Sequence, residues 1–94
     1  MTSDIVRVRA VARGRVQMVG FRAFVQRHAA QLGLGGSVRN APDGTVVCEL
    51  QGAREAVEQM LARLNDGPLH ARVDRVDVEP LEPVADAPSM RVTA

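Results

Sequence analysis

A chain of 94 residues is read as one domain spanning 1–94, with room for a two-layer core. Its hydrophobic share of 46% is that of a globular chain, no apolar run approaches a membrane span, and the start Met1-Thr2-Ser3-Asp4 lacks the charged and apolar regions of a leader, so a cytoplasmic protein is expected. The single cysteine, Cys48, excludes an internal disulfide and a multi-cysteine metal centre. The net charge of +1 hides an asymmetry, because Arg7, Arg9, Arg13, Arg15, Arg22, Arg27 and Arg39 all precede Asp43 with only Asp4 against them. Most of these arginines are expected to be neutralised across the fold by the acidic half, and the remainder set up a field that draws in small anions.

In chain order, Ile5 to Arg13 alternates: Val6, Val8, Ala10 and Ala12 share one face, and Arg7, Arg9, Val11 and Arg13 the other, as in a strand with one wet side. From Phe21 to Leu32, Phe24, Val25 and Ala29 keep helical spacing, and Gly33 or the Gly35-Gly36 pair stops the helix. Ser37 to Asn40 and Thr45 to Gln51 form a hairpin about Pro42-Asp43-Gly44, with Val46, Cys48 and Leu50 inward and Thr45 and Glu49 outward. A second amphipathic helix runs from Gly52 to Leu64 and ends at Asn65-Asp66-Gly67-Pro68. Ala71 to Glu79 is a strand with Val76 and Val78 in phase and Val73 out of phase, which predicts a bulge or an imperfect start. Pro80 to Pro88 is loop, and Met90 to Thr93 adds a short edge strand. The order β-α-β-β-α-β defines an α+β, ferredoxin-like sandwich: a four-stranded sheet, both helices on one face, and a short C-terminal strand.

The stretch Gly14-Arg15-Val16-Gln17-Met18-Val19-Gly20-Phe21-Arg22 joins the first strand to the first helix. No Ser, Thr, Asp or Asn stands between Ile5 and Ser37, so that helix has no side-chain N-cap. Arg22 sits in its first turn, where the helix dipole favours an acid. A bound anion would cap the helix and pair the arginine; a water-capped helix with a solvated arginine accounts for the same residues.

The same stretch resembles the first signature of the acylphosphatase family, and Gly36-Ser37-Val38-Arg39-Asn40-Ala41-Pro42-Asp43-Gly44-Thr45-Val46 resembles the second. The resemblance runs from Ile5 to about Val92 and implies hydrolysis of small acyl phosphates, with inorganic phosphate as product. It assigns phosphate binding to Gln17, Met18, Val19, Gly20 and Phe21 through their main-chain N–H groups, together with the Arg22 side chain. It assigns catalysis to Arg22 and to Asn40, which orients the attacking water. Two positions depart from the family's pattern: Met18 stands where glycine is usual, and Ser37 where tryptophan is common. If the position of Met18 is left-handed, methionine costs on the order of 1–2 kcal/mol there.

The residues themselves offer no protein nucleophile. Cys48 faces inward, no serine has a triad-like context, and His28 and His70 lack partners at metal-ligand spacing, so neither a metal nor a cofactor is expected. Direct attack of water on an activated phosphorus suits that inventory, because a carboxylate leaves without a strong general acid. A rival role for Asn40 is as a turn residue before Pro42-Asp43-Gly44. Rival functions are a non-catalytic phosphate-ligand or protein-interaction module, supported by Met18, and an RNA-binding domain of the same fold. The latter needs aromatics on the open sheet face, whereas both phenylalanines belong to the first helix. The expected partner is a small-molecule acyl phosphate, with no nucleic acid or membrane, and the chain is expected to be a monomer.

Overall fold

Alternation along β1 (Ile5–Arg15) fixes the two faces of the sheet. Ala10 and Ala12 are fully buried, with Val6 and Val8 packed against the same core, while Arg7 and Arg9 lie on the opposite face. The computed structural model describes residues 4–85, 87 and 89–93; Met1–Ser3, and Asp86 and Pro88 of the expected acidic loop, lie outside these. After β1 come α1 (Phe21–Gln31), β2 (Gly35–Asn40), β3 (Val46–Ala53), α2 (Arg54–Asp66), β4 (Arg72–Leu81) and β5 (Arg91–Val92). The sheet order is β4-β1-β3-β2-β5, antiparallel throughout except for the β2–β5 pair. This is the expected ferredoxin-like α+β sandwich. No helix among the described residues is long and apolar enough to cross a membrane.

Both helices cover one face. Phe21, Phe24, Val25 and Ala29 of α1 and Val57, Met60 and Leu64 of α2 share a core with Val38, Val46, Cys48 and Leu50 of the sheet. The Phe21 and Phe24 rings lie 5.8 Å apart at 56°, a tilted pair. Truncating Phe21, which is only 2% exposed, would cost about 3–5 kcal/mol. The other face carries ion pairs between the arginine-rich and acidic halves: Arg7 with Glu49, Arg9 with Glu49 and Glu79, and Arg13 with Asp77. Arg13 is thus a half-exposed ion-pair partner, one of the arginines neutralised by the acidic half.

Several boundaries move from where periodicity put them, each for a tertiary reason. β1 continues through Gly14 and Arg15 because the start of β4 pairs with them, across the register shift anticipated from Val73. Gly14 has φ +129°, and a Cβ there would run into the Arg72 main-chain oxygen. α1 stops at Gln31, and Gly33 makes the terminating turn: its N–H reaches the Ala30 oxygen at 3.2 Å while that of Leu34 reaches Ala29 at 2.9 Å. Gly35 and Gly36 are therefore strand residues; Gly36 sits so close to the Glu49 carbonyl that no Cβ fits. β3 runs through Gly52 and Ala53, delaying α2 to Arg54, because Ile5 and Val6 extend the ladder to meet them. α2 keeps Asn65 and Asp66 and ends at Gly67 (φ 69°). Pro80 and Leu81 belong to β4, not to the loop, since an edge strand tolerates a missing N–H. Val78 is 47% exposed on this edge strand, although it is in phase with the half-buried Val76. Thr45, expected on the wet face, is 5% exposed and lies before β3: its hydroxyl and N–H both donate to the Asp43 carboxylate, at 2.7 and 3.1 Å. That turn holds the Asp43 carboxyl below the usual range, chiefly through the Thr45 hydroxyl.

Candidate active site

The topology sets the two signature stretches at one end of the sheet. Val46 of β3 pairs with Ala12 of β1 on one side and with Asn40 of β2 on the other. The chain leaving β1 and the chain leaving β2 therefore emerge as neighbours, one strand apart.

The loop between β1 and α1 turns on two left-handed residues, Met18 (φ 61°) and Gly20 (φ 79°). Gly20 is the N-cap of α1 and supplies no side-chain acceptor, and no acid stands in the first turn. The Phe24 N–H donates to the Gly20 oxygen at 3.0 Å. The N–H groups of Phe21, Arg22 and Ala23 precede that bond and have no acceptor within the helix. They form the positive end of the helix dipole, a setting suited to an anion.

A cleft of about 350 Å³ opens over this helix end. Met18, Gly20, Phe21, Arg22 and Asn40, all expected at the site, line it. Arg22 donates through Nη1 to the Thr93 carbonyl at 3.1 Å, and the Thr93 N–H donates to Val38 at 2.8 Å. The C-terminal segment thus steadies the arginine from the far side of β2. Asn40 ends β2, and its amide makes no hydrogen bond with protein among the described residues. The turn that follows is closed by Asp43 and Thr45 without it.

Two of the residues expected to contribute main-chain N–H groups direct their side chains elsewhere, which bears on their packing and not on those N–H groups. The Val19 side chain packs against the core. The Gln17 side chain turns away from the cleft and donates through Nε2 to the Ala41 and Thr45 carbonyls, at 2.7 and 3.0 Å. This amide clamps the β1–α1 loop to the turn after Asn40 and fixes their spacing. Sequence reasoning missed that role, because the acceptors lie far along the chain and nothing local signals them. It also missed Val16, Ala23, Gln26 and Val92 in the cleft wall. Gln26 was accessible in principle, being one helical turn beyond Arg22; Val92 depends on the parallel β2–β5 pairing.

Cys48 is fully buried, and that burial pushes its thiol up to about 12, which removes it as a nucleophile. Among the described residues no group of three or more His, Cys, Asp and Glu gathers in metal-binding geometry. His28 accepts from Arg63 Nη1 at 2.8 Å and is held below its usual range by burial and then by the Arg63 and Arg27 charges.

Fold and cleft together define a ferredoxin-like domain with an arginine in a cleft at a helix N-terminus. The sequence matches the model of the acylphosphatase family over residues 8–90, and the chain belongs to that family. It is 49% identical to an acylphosphatase of Caldivirga maquilingensis over 82 residues, covering 86% of either chain. Among solved structures it is similar to the acylphosphatase of Bacillus subtilis, with a TM-score of 0.91 and 28% identity over 95% of this chain and 99% of that one. It is likewise similar to that of Coxiella burnetii, with a TM-score of 0.90 and 31% identity over 96% and 94%. The chain is thus an enzyme, a hydrolase of this family.

Proposed function

We propose that this cleft hydrolyses the carboxyl–phosphate bond of small acyl phosphates by direct attack of water. The observation that carries the proposal is the convergence of Arg22, Asn40 and the uncapped start of α1 on one cleft. The main-chain N–H groups of the loop and of the first helical turn bind the phosphoryl oxygens, and the Arg22 guanidinium pairs with them through charge-assisted bonds. The Asn40 amide holds a water in line with the phosphorus. The water oxygen forms the new P–O bond while the bond to the carboxyl oxygen breaks, and its electron pair leaves with the carboxylate. A non-bridging phosphate oxygen takes the water's proton, since an amide is too weak a base. Positioning and charge stabilisation then supply the catalysis.

The RNA-binding alternative finds no support on the open sheet face, where Arg7, Arg9, Glu49 and Glu79 pair with one another and both phenylalanines pack in the core. Nor does Met18 favour the non-catalytic alternative, because it takes the left-handed conformation that glycine would take. The test is hydrolysis of acetyl and benzoyl phosphate with a chelator present. Sustained turnover is expected; turnover that disappears with the chelator and returns with a divalent ion would overturn the proposed chemistry.

A further inference from the structure

Met18 is the only non-glycine residue with positive φ among the described residues, and its side chain is 98% exposed. The pairing is unusual. A left-handed L-residue is strained, such strain is retained where surrounding contacts or function require it, and here no packing among the described residues repays it. Glycine would adopt the same backbone without strain.

Met18 lines the same cleft as Arg22 and Asn40, with its side chain almost wholly exposed. Val92, 40% exposed, is a second exposed apolar residue of the lining, beside the buried Val16 and Phe21. The cleft therefore sets the Arg22 guanidinium and the Asn40 amide beside an exposed apolar rim at Met18 and Val92. A ligand that fits both has a phosphate at one end and an apolar body at the other. A thioether on three rotatable bonds adapts to differently shaped bodies and contacts aromatic rings favourably.

We propose that Met18, with Val92, is a specificity-determining residue that grips the acyl group, so that the preferred substrates are acyl phosphates with an aromatic or extended aliphatic acyl group rather than acetyl phosphate. This rests on the reading of Arg22 and Asn40 as the phosphate pole. Covering about half of a methionine side chain is worth roughly three- to tenfold in binding.

The experiment compares kcat/KM for benzoyl and acetyl phosphate in the wild type, Met18→Gly and Met18→Asn. Glycine and asparagine both accept the left-handed backbone, so the loop keeps its course. The readout is the benzoyl-to-acetyl ratio, which cancels any change in loop rigidity common to both substrates. The ratio is expected to fall three- to tenfold in both variants. A ratio within twofold of the wild type in both would overturn the proposal. If the wild type hydrolyses neither substrate, the reading of the reaction fails separately, and displacement by benzylphosphonate and methylphosphonate then decides for Met18. A wild-type preference for the benzyl compound that is lost in Met18→Gly upholds the apolar rim; equal binding of the two by the wild type overturns it.

Discussion

Replacing Gln17 by glutamate keeps the side-chain shape and reverses the polarity of its end. In the native chain Nε2 donates to Ala41 O at 2.7 Å and to Thr45 O at 3.0 Å. Each of those carbonyls has a second donor, Gly44 N–H at 3.1 Å for Ala41 and Ala41 N–H at 2.9 Å for Thr45. Gln17→Ala therefore orphans neither acceptor, and at about 0.5–1.5 kcal/mol per net bond it should cost about 1–3 kcal/mol. Gln17→Glu should cost more at neutral pH, because a carboxylate would face two carbonyl oxygens. Protonation would restore one donor. The folded state then holds the new carboxyl's proton more tightly than the unfolded chain does, where the pKa is about 4.3. A raised folded pKa means that stability falls as pH rises from about 4.3 through the folded value, and recovers below it. Urea unfolding at pH 7 and pH 4, each referred to wild type at the same pH, should show Gln17→Glu below Gln17→Ala at pH 7 and the gap closing at pH 4. Because the clamp spaces the β1–α1 loop from Asn40, kcat in both variants should drop by roughly ten- to a hundredfold if that loop holds the phosphate as proposed. A Gln17→Glu protein as stable as wild type at pH 7 would refute the clamp.

Inorganic phosphate should raise the melting temperature of the wild type, and Arg22→Ala should abolish that rise and damage both KM and kcat; an equal rise in both proteins would place the ion elsewhere. Asn40→Ala should lower kcat by roughly a hundredfold or more with KM near wild type, as expected for a group that acts mainly in the transition state. An Asn40→Ala protein that is less stable yet turns over normally would return Asn40 to the role of a turn residue. His28, whose folded pKa is depressed by burial and by Arg63 and Arg27, favours the fold fully above its unfolded value of about 6.5, and that contribution is lost as pH falls through the lower folded value. His28→Gln should flatten this part of the stability–pH curve measured by urea unfolding, and an unchanged slope between pH 6.5 and 5 would refute the linkage.

The alternation of Val6, Val8, Ala10 and Ala12 and the spacing of Phe21, Phe24, Val25 and Ala29 are local patterns, so the sequence by itself determined the element order, the buried faces and the fold class. The missing N-cap before Phe21 and the arginine after it are also local, and they marked the start of α1 as a candidate anion site. Met18 was legible as a departure from a glycine position, and the structure gives it the left-handed φ of 61° that such a position implies. Tertiary structure alone decided what those residues touch. Gln17 reaches Ala41 and Thr45 only because β1 and β2 flank β3 in one register. Arg22 meets the Thr93 carbonyl, and Val92 the cleft, only because β5 pairs in parallel with β2. Thr45 left the wet face because the Asp43 carboxylate captured its hydroxyl before β3 began. Periodicity records which way a side chain points along its own segment. Which distant segment stands opposite is set by sheet order and register, and those arise from packing of the whole chain.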